Sequence, residues 1–173
     1  VTSDYIKIYK IDSDNFAIKL GGAIFNLYKW DNGQWFPLVN ETPSSDGGIQ
    51  AVWGGVSDSP KDLVTSDSGG EYRLPALDQS VIYKLVEIKA PENYIKRKDP
   101  LYFTLNKIPP TLPDGLTNSD ITVMLKGGII NLENIQKQYV DVQVNKHWSG
   151  NLKQDVEVEL YKSITPPTVG SGK

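Results

Sequence analysis

Three polar side chains of this 173-residue chain fall where an alternating strand would carry an apolar one. Lys10, in Tyr5-Ile6-Lys7-Ile8-Tyr9-Lys10-Ile11, is in phase with Ile6 and Ile8. Glu87, in Tyr83-Lys84-Leu85-Val86-Glu87, is in phase with Tyr83 and Leu85, and Asn134 is in phase with Ile130 and Leu132. Each would be costly to bury alone, but an amine, a carboxyl and a carboxamide that all face inward can satisfy one another. Phase alone leaves three readings open: a strand-end trio in solvent, a buried Lys–Glu pair with an Asn hydrogen bond, or a functional site. Asp12, Asp14 and Asn15 are spaced like the opening of a calcium loop, yet Phe16 takes a position that needs an oxygen ligand and the downstream Glu is missing. Trp30, Trp35 and Trp53 offer flat faces that either stack on sugars or fill the core and its edges.

Composition removes most other chemistry. The chain has no cysteine, which excludes disulfides, thiolate zinc sites, iron–sulfur clusters and cysteine nucleophiles. A single histidine, His147, leaves little for a His-based metal site or a Ser-His-Asp triad. Ser66-Asp67-Ser68-Gly69-Gly70 is similar to the nucleophile segment of trypsin-like proteases, but it opens on Ser rather than Gly and reads as a hairpin turn. No metal and no cofactor is expected. The net charge of -3 argues against nucleic acid or an anionic membrane as the main partner. No apolar run reaches the 18 or so residues of a membrane span. The expectation is a piece of a longer precursor.

The elements that must position the three residues are strands. Period-2 alternation marks segments 5–11, 23–28, 35–39, 63–66, 71–74, 81–89, 101–105, 121–125 and 129–135, and no helical pattern is both long and capped. Asp31-Asn32-Gly33 predicts a hairpin turn between the second and third. The fold class is all-β, a sandwich of short strands. Residues 40–62, rich in Ser, Gly, Pro and Asp around Trp53, and residues 106–119, with Pro109, Pro110 and Pro113, read as long surface loops. Near Lys137 the pattern restarts with 139–146 and 156–160, so the chain is expected to hold one full domain, 1–137, and a partial second one, 138–173. Two strands cannot bury a core by themselves.

Lys10-Ile11-Asp12 followed by Leu20-Gly21-Gly22-Ala23-Ile24-Phe25-Asn26-Leu27-Tyr28 resembles the opening of Gram-positive pilin and adhesin stalk domains of the SpaA or collagen-adhesin B type. Leu63 to Asp67 with Gly70-Glu71-Tyr72 is similar to that family's Thr-Asp-x-x-Gly hairpin. Tyr83-Lys84-Leu85-Val86-Glu87-Ile88-Lys89-Ala90-Pro91-Glu92-Asn93-Tyr94 is similar to its E-box, with Asn93 for the usual Gly. Asn tolerates the same left-handed turn. In the second unit, Val144-Asn145-Lys146-His147-Trp148 and Val156 to Tyr161 resemble the start of another such domain. No second E-box follows, so Lys146 has no visible partner.

The resemblance implies a prealbumin-like or inverse-immunoglobulin β-sandwich closed by an internal isopeptide bond. Lys10 would be the nucleophile, Glu87 the catalytic acid and Asn134 the carboxamide donor, with Asn131 the weaker choice. Burial favours a neutral amine, which can attack the amide carbon, while a protonated Glu87 would polarise the carboxamide oxygen. Such a reaction happens once per chain, so the protein is not expected to be an enzyme. The implied function is a structural subunit of a cell-wall-anchored pilus, an ancillary one for want of a Tyr-Pro-Lys-type motif, secreted and displayed on the cell surface. Its partners would be other pilin subunits, peptidoglycan through sortase, and a host surface ligand. The rival reading is an adhesin module gripping a host protein or glycan through the 40–62 loop and Trp53.

Overall fold

The computed structural model describes residues 5–125 and 127–138, together with Gln143 and Asn145. The chain divides into two units, Val1–Gln138 and Tyr139–Lys173. The expected second domain, with Lys146, lies outside the described residues. Among its described residues, unit 1 is all-β apart from a single 3-10 turn at Asn118–Asp120.

Its strands are β1 (Lys7–Asp12), β2 (Ile24–Asp31), β3 (Gln34–Pro43), β4 (Ile49–Trp53), β5 (Leu63–Val64), β6 (Glu71–Arg73), β7 (Tyr83–Lys89), β8 (Leu101–Leu105), β9 (Ile121–Met124) and β10 (Ile129–Asn134). They form a small sheet ordered β10-β1-β6 and a large one ordered β4-β3-β2-β7-β8-β9, with β5 paired to β2. Alternation decides which face is buried. In β10 only Ile130, Leu132 and Asn134 are buried, and in β7 Tyr83, Leu85 and Glu87. The inner faces meet in a core of Ile6, Ile8, Phe25, Leu27, Leu38, Leu63, Leu74, Tyr83, Leu85, Phe103, Ile130 and Leu132.

The first and last strands are parallel neighbours, in register from Lys7 opposite Ile129 to Asp12 opposite Asn134. Among the other described strand pairings only β8–β9 is parallel. The β2–β3 hairpin turns on Asn32 and Gly33, with φ of 47° and 77°, the left-handed pair that a two-residue hairpin needs.

The expectation of a loop over 40–62 is wrong for nine of its 23 residues. β3 runs on to Pro43, and Ile49–Trp53 returns beside it as the edge strand β4. Ile49, Ala51 and Trp53 turn inward and are half-buried, while Gln50 and Val52 are exposed. The turn is closed by Ser44 and Gly47, with the Gly48 N–H donating to Asp46 Oδ1. A proline at the end of β3, where only β4 lies beside it, and an isolated five-residue return do not produce the composition of a strand. The 106–117 stretch is a loop, as its prolines predict.

Candidate functional site

β1 places Lys10 in the sandwich interior, and the strand fixes its backbone on both sides. The Lys10 N–H donates to the Gly70 carbonyl and its own carbonyl accepts from Leu20, each at 2.8 Å. The approach is close: a Cβ on Gly70, which has φ of 56°, would stand 2.5 Å from the Leu20 nitrogen. That accounts for the Ser66–Gly70 segment, whose glycine lets the turn press against the chain beside Lys10. Ser68 has no histidine among the described residues to activate it.

Lys10, Glu87 and Asn134 come together. All three are buried, at 0, 4 and 2% exposure. Lys10 faces inward beside its register partner Leu132, and Asn134 lies two residues further along the same face of β10. Glu87 reaches in from β7, on the opposing sheet. Lys10 Nζ stands 3.1 Å from Glu87 Oε1. Nζ and Oε1 have no hydrogen-bond partner beyond this ion pair, and Asn134 Oδ1 has none at all. The contact is one of charge. Lys10 Nζ also lies 5.5 Å from the centre of the Phe25 ring. Burial pulls the Lys10 ammonium below the ordinary lysine range; the Glu87 carboxylate opposes that without reversing it, and Arg97 adds a smaller downward push.

The carboxamide is oriented from the main chain. Asn134 Nδ2 donates to the Ile95 carbonyl at 2.6 Å and to Glu87 Oε2 at 3.1 Å. A carbonyl can only accept, so the Ile95 oxygen identifies the atom facing it as the nitrogen. Glu87 therefore meets the carboxamide through its nitrogen, not through the oxygen as the sequence reading expects. Glu87 Oε2 also accepts the Arg97 N–H at 2.6 Å. Asn131 is exposed on the outer face of β10, opposite Tyr9 and turned away from Lys10.

The family described as SpaA, prealbumin-like fold domain, matches residues 4–113, well over half of the chain. The chain belongs to the SpaA family of prealbumin-like domains. Among solved structures, the pilus 2b backbone protein of group B streptococcus is similar at 25% identity and a TM-score of 0.50, over 78% of this chain and 41% of that one. The shaft pilin spaA of Lactobacillus rhamnosus GG aligns at 15% identity and a TM-score of 0.51, over 79% of this chain and 47% of that one. Its C-terminal domain alone is covered to 97%, at 15% identity and a TM-score of 0.50, a likeness of fold. The chain thus spans less than half the length of the two whole pilins. No curated protein matches it.

In this SpaA domain the E-box tail does more than its side chains suggest. Asn93 has φ of 66°, the left-handed turn that a glycine would otherwise supply. The chain beyond it lies along the residues that follow β10: Tyr94 bridges to Gln136, the Ile95 N–H donates to the Ile135 carbonyl, and the Lys137 N–H donates to the Asn93 carbonyl. These backbone groups were invisible to reasoning from side chains; the only signal is that the motif runs on to Tyr94.

The remaining candidates lie elsewhere. Trp53 ends β4 half-buried, its ring stacked on Tyr83 with centroids 5.9 Å apart and Lys29 Nζ 5.4 Å above it. Trp30 and Trp35 face each other across the β2–β3 hairpin at 5.1 Å. Asp12 Oδ1 accepts from the Asp14 and Asn15 N–H groups, at 2.7 and 3.0 Å, which closes the turn with its own backbone. No cluster of three or more His, Cys, Asp or Glu side chains able to hold a metal occurs among the described residues.

Proposed function

We propose that this SpaA domain joins Lys10 to Asn134 by an autocatalytic amide bond with Glu87 as proton carrier, and that the chain is a structural subunit of a Gram-positive cell-surface pilus. The observation that carries the first part is the buried contact of one amine, one carboxyl and one carboxamide at the parallel pair formed by the first and last strands. The second part rests on family membership and on the likeness to pilus backbone and shaft pilins.

The chemistry balances with no outside reagent. Lys10 Nζ passes a proton to Glu87 Oε1, 3.1 Å away, and becomes a neutral amine. The amine attacks Asn134 Cγ, forming a C–N bond and giving a tetrahedral centre. The former Nζ loses a second proton, and Nδ2, beside Glu87 Oε2, gains one through the carboxyl and leaves as ammonia. Three protons on the ammonium and two on the carboxamide become one on the new amide, one on Glu87 and three on ammonia. Proximity within the fold replaces a bimolecular encounter. The event occurs once per chain, so the protein is a self-modified structural element and not a turnover enzyme.

In this reading the subunit is secreted, joined to neighbouring pilins and to peptidoglycan by sortase, and placed as an ancillary subunit that contributes to host adhesion. Intact mass spectrometry tests the bond. The folded chain is expected to weigh one ammonia less than its sequence, with the full mass restored by Lys10→Ala or Glu87→Ala. A wild-type mass equal to the plain sequence refutes it.

A further inference from the structure

In the segment from Pro91 to Arg97 the Glu92, Asn93, Ile95 and Lys96 side chains are exposed, yet the main chain forms one wall of the buried triad. The Ile95 carbonyl holds Asn134 Nδ2 and the Arg97 N–H holds Glu87 Oε2, both at 2.6 Å. Two of the three reacting groups thus take their orientation from one exposed loop. A loop of this kind is prone to local opening unless something ties it down.

One side-chain tie crosses from the loop to β1. Tyr94 Oη donates to Asp12 Oδ2 at 2.6 Å, two residues along the strand from Lys10. The other oxygen of Asp12 is already committed to the turn at Asp14 and Asn15, so the carboxylate is held rigidly. The hydrogen bond keeps the Asp12 carboxyl below its ordinary range and pushes the Tyr94 hydroxyl up to about 12, so both groups hold the donor–acceptor state across neutral pH. Besides its two contacts to the triad, the loop is attached by backbone bonds to Ile135 and Lys137.

We propose that Tyr94 and Asp12 are positioning residues for the crosslinking reaction: their hydrogen bond latches the 91–97 loop over the triad, so that its main chain aims the carboxamide nitrogen at Glu87 and keeps water from Lys10. The inference rests on the crosslinking reading above. With the latch broken, the loop lifts more often and the carboxamide loses the acceptor that selects its rotamer. Water then reaches Nζ, and the lysine returns toward its ammonium form, since the charges near it are Glu87 from β7, Arg97 from the loop itself and, from the outer face of β10, Glu133. Attack at neutral pH slows on both counts, and only the second is repaired by raising the pH.

The test is a crosslinking time course. The full chain is prepared unfolded, refolded by dilution, and sampled for loss of ammonia by intact mass spectrometry from pH 6 to pH 10. Tyr94→Phe, which removes one oxygen and keeps the ring, is expected to crosslink about tenfold more slowly than wild type at pH 7, the worth of one well-placed hydrogen bond. The gap should narrow as the pH rises. Folding of the variant is checked by circular dichroism on a Lys10→Ala background, where no crosslink contributes. Asp12→Asn, which weakens the acceptor, is the second variant and decides alone if Tyr94→Phe does not fold. Wild-type rates in the folded variants, or a slowing equally deep at every pH, overturn the latch while leaving the crosslink standing. A wild-type chain that never loses ammonia removes both.

Discussion

Asn134→Ala isolates the mechanical consequence of the proposed bond. It deletes the carboxamide while leaving the Lys10–Glu87 pair in place. In the parallel β1–β10 pair, a pull on the N-terminal side enters β1 at Lys7, and a pull on the C-terminal side enters β10 at Asn134, at the far end of the ladder. Without the bond, the two strands shear past one another and everything between them pays out. The bond would enclose residues 11–133, roughly 120 residues, which at about 3.4 Å each amounts to about 400 Å of chain. With the bond, tension passes from Lys10 directly into Asn134 and none of that length is released. Single-molecule stretching of the full chain between flanking marker domains should show no step from this domain in wild type and one step near 400 Å in Asn134→Ala. By analogy with loop closure by a disulfide, the variant should also be less stable by about 4–5 kcal/mol. For a domain of this size that lowers the melting temperature by roughly 10–20 °C. A wild-type chain that pays out the long step would refute the force path, whatever its mass.

Two further outcomes probe how the site is held. Gly70→Ala forces a Cβ against the Leu20 backbone at a positive φ, and should cost about 2 kcal/mol or more in denaturant melts; no loss of stability would mean the turn yields freely. Tyr72 Oη donates to Glu41 Oε2 at 2.5 Å, joining β6 to β3, and burial first, then that carboxylate, pushes its hydroxyl pKa up. A raised folded value means the unfolded chain loses this proton first, so stability should fall as the pH climbs above about 10. Tyr72→Phe should flatten that fall, and an unchanged slope would assign it to other groups.

The triad was legible because strands have a period of two. Lys10, Glu87 and Asn134 each break a run of buried apolar partners at a position that faces inward, and the structure buries all three. Asn131, one residue out of phase with Asn134, is exposed on the other face for the same reason. The Asn32-Gly33 turn and the bounds of β8 were equally open to local reading. What failed was nonlocal or carried by the main chain. β4 is a strand because β3 offers it an edge and Tyr83 offers Trp53 a surface, neither of which shows in its five residues. The orientation of the Asn134 carboxamide depends on the Ile95 carbonyl, and every residue has a carbonyl, so no residue type announces it. The tie between Tyr94 and Asp12 joins residues 82 apart and needs the loop's path to be known.

The atoms left unpaired in the triad bear on the chemistry more directly than the distances do. Buried polar atoms without partners are rare in folded proteins because each costs on the order of 1–3 kcal/mol. Here Asn134 Oδ1 has no donor, and it stands beside Lys10 Nζ and Glu87 Oε1, which have only each other at 3.1 Å. A purely structural asparagine has reason to find a donor for its oxygen. In the proposed product, Nζ becomes an amide nitrogen with one proton to place and Glu87 Oε1 is the oxygen nearest to it. Oδ1 becomes the carbonyl oxygen of that same amide. Burial that penalises a charged pair favours the neutral amide that would replace it.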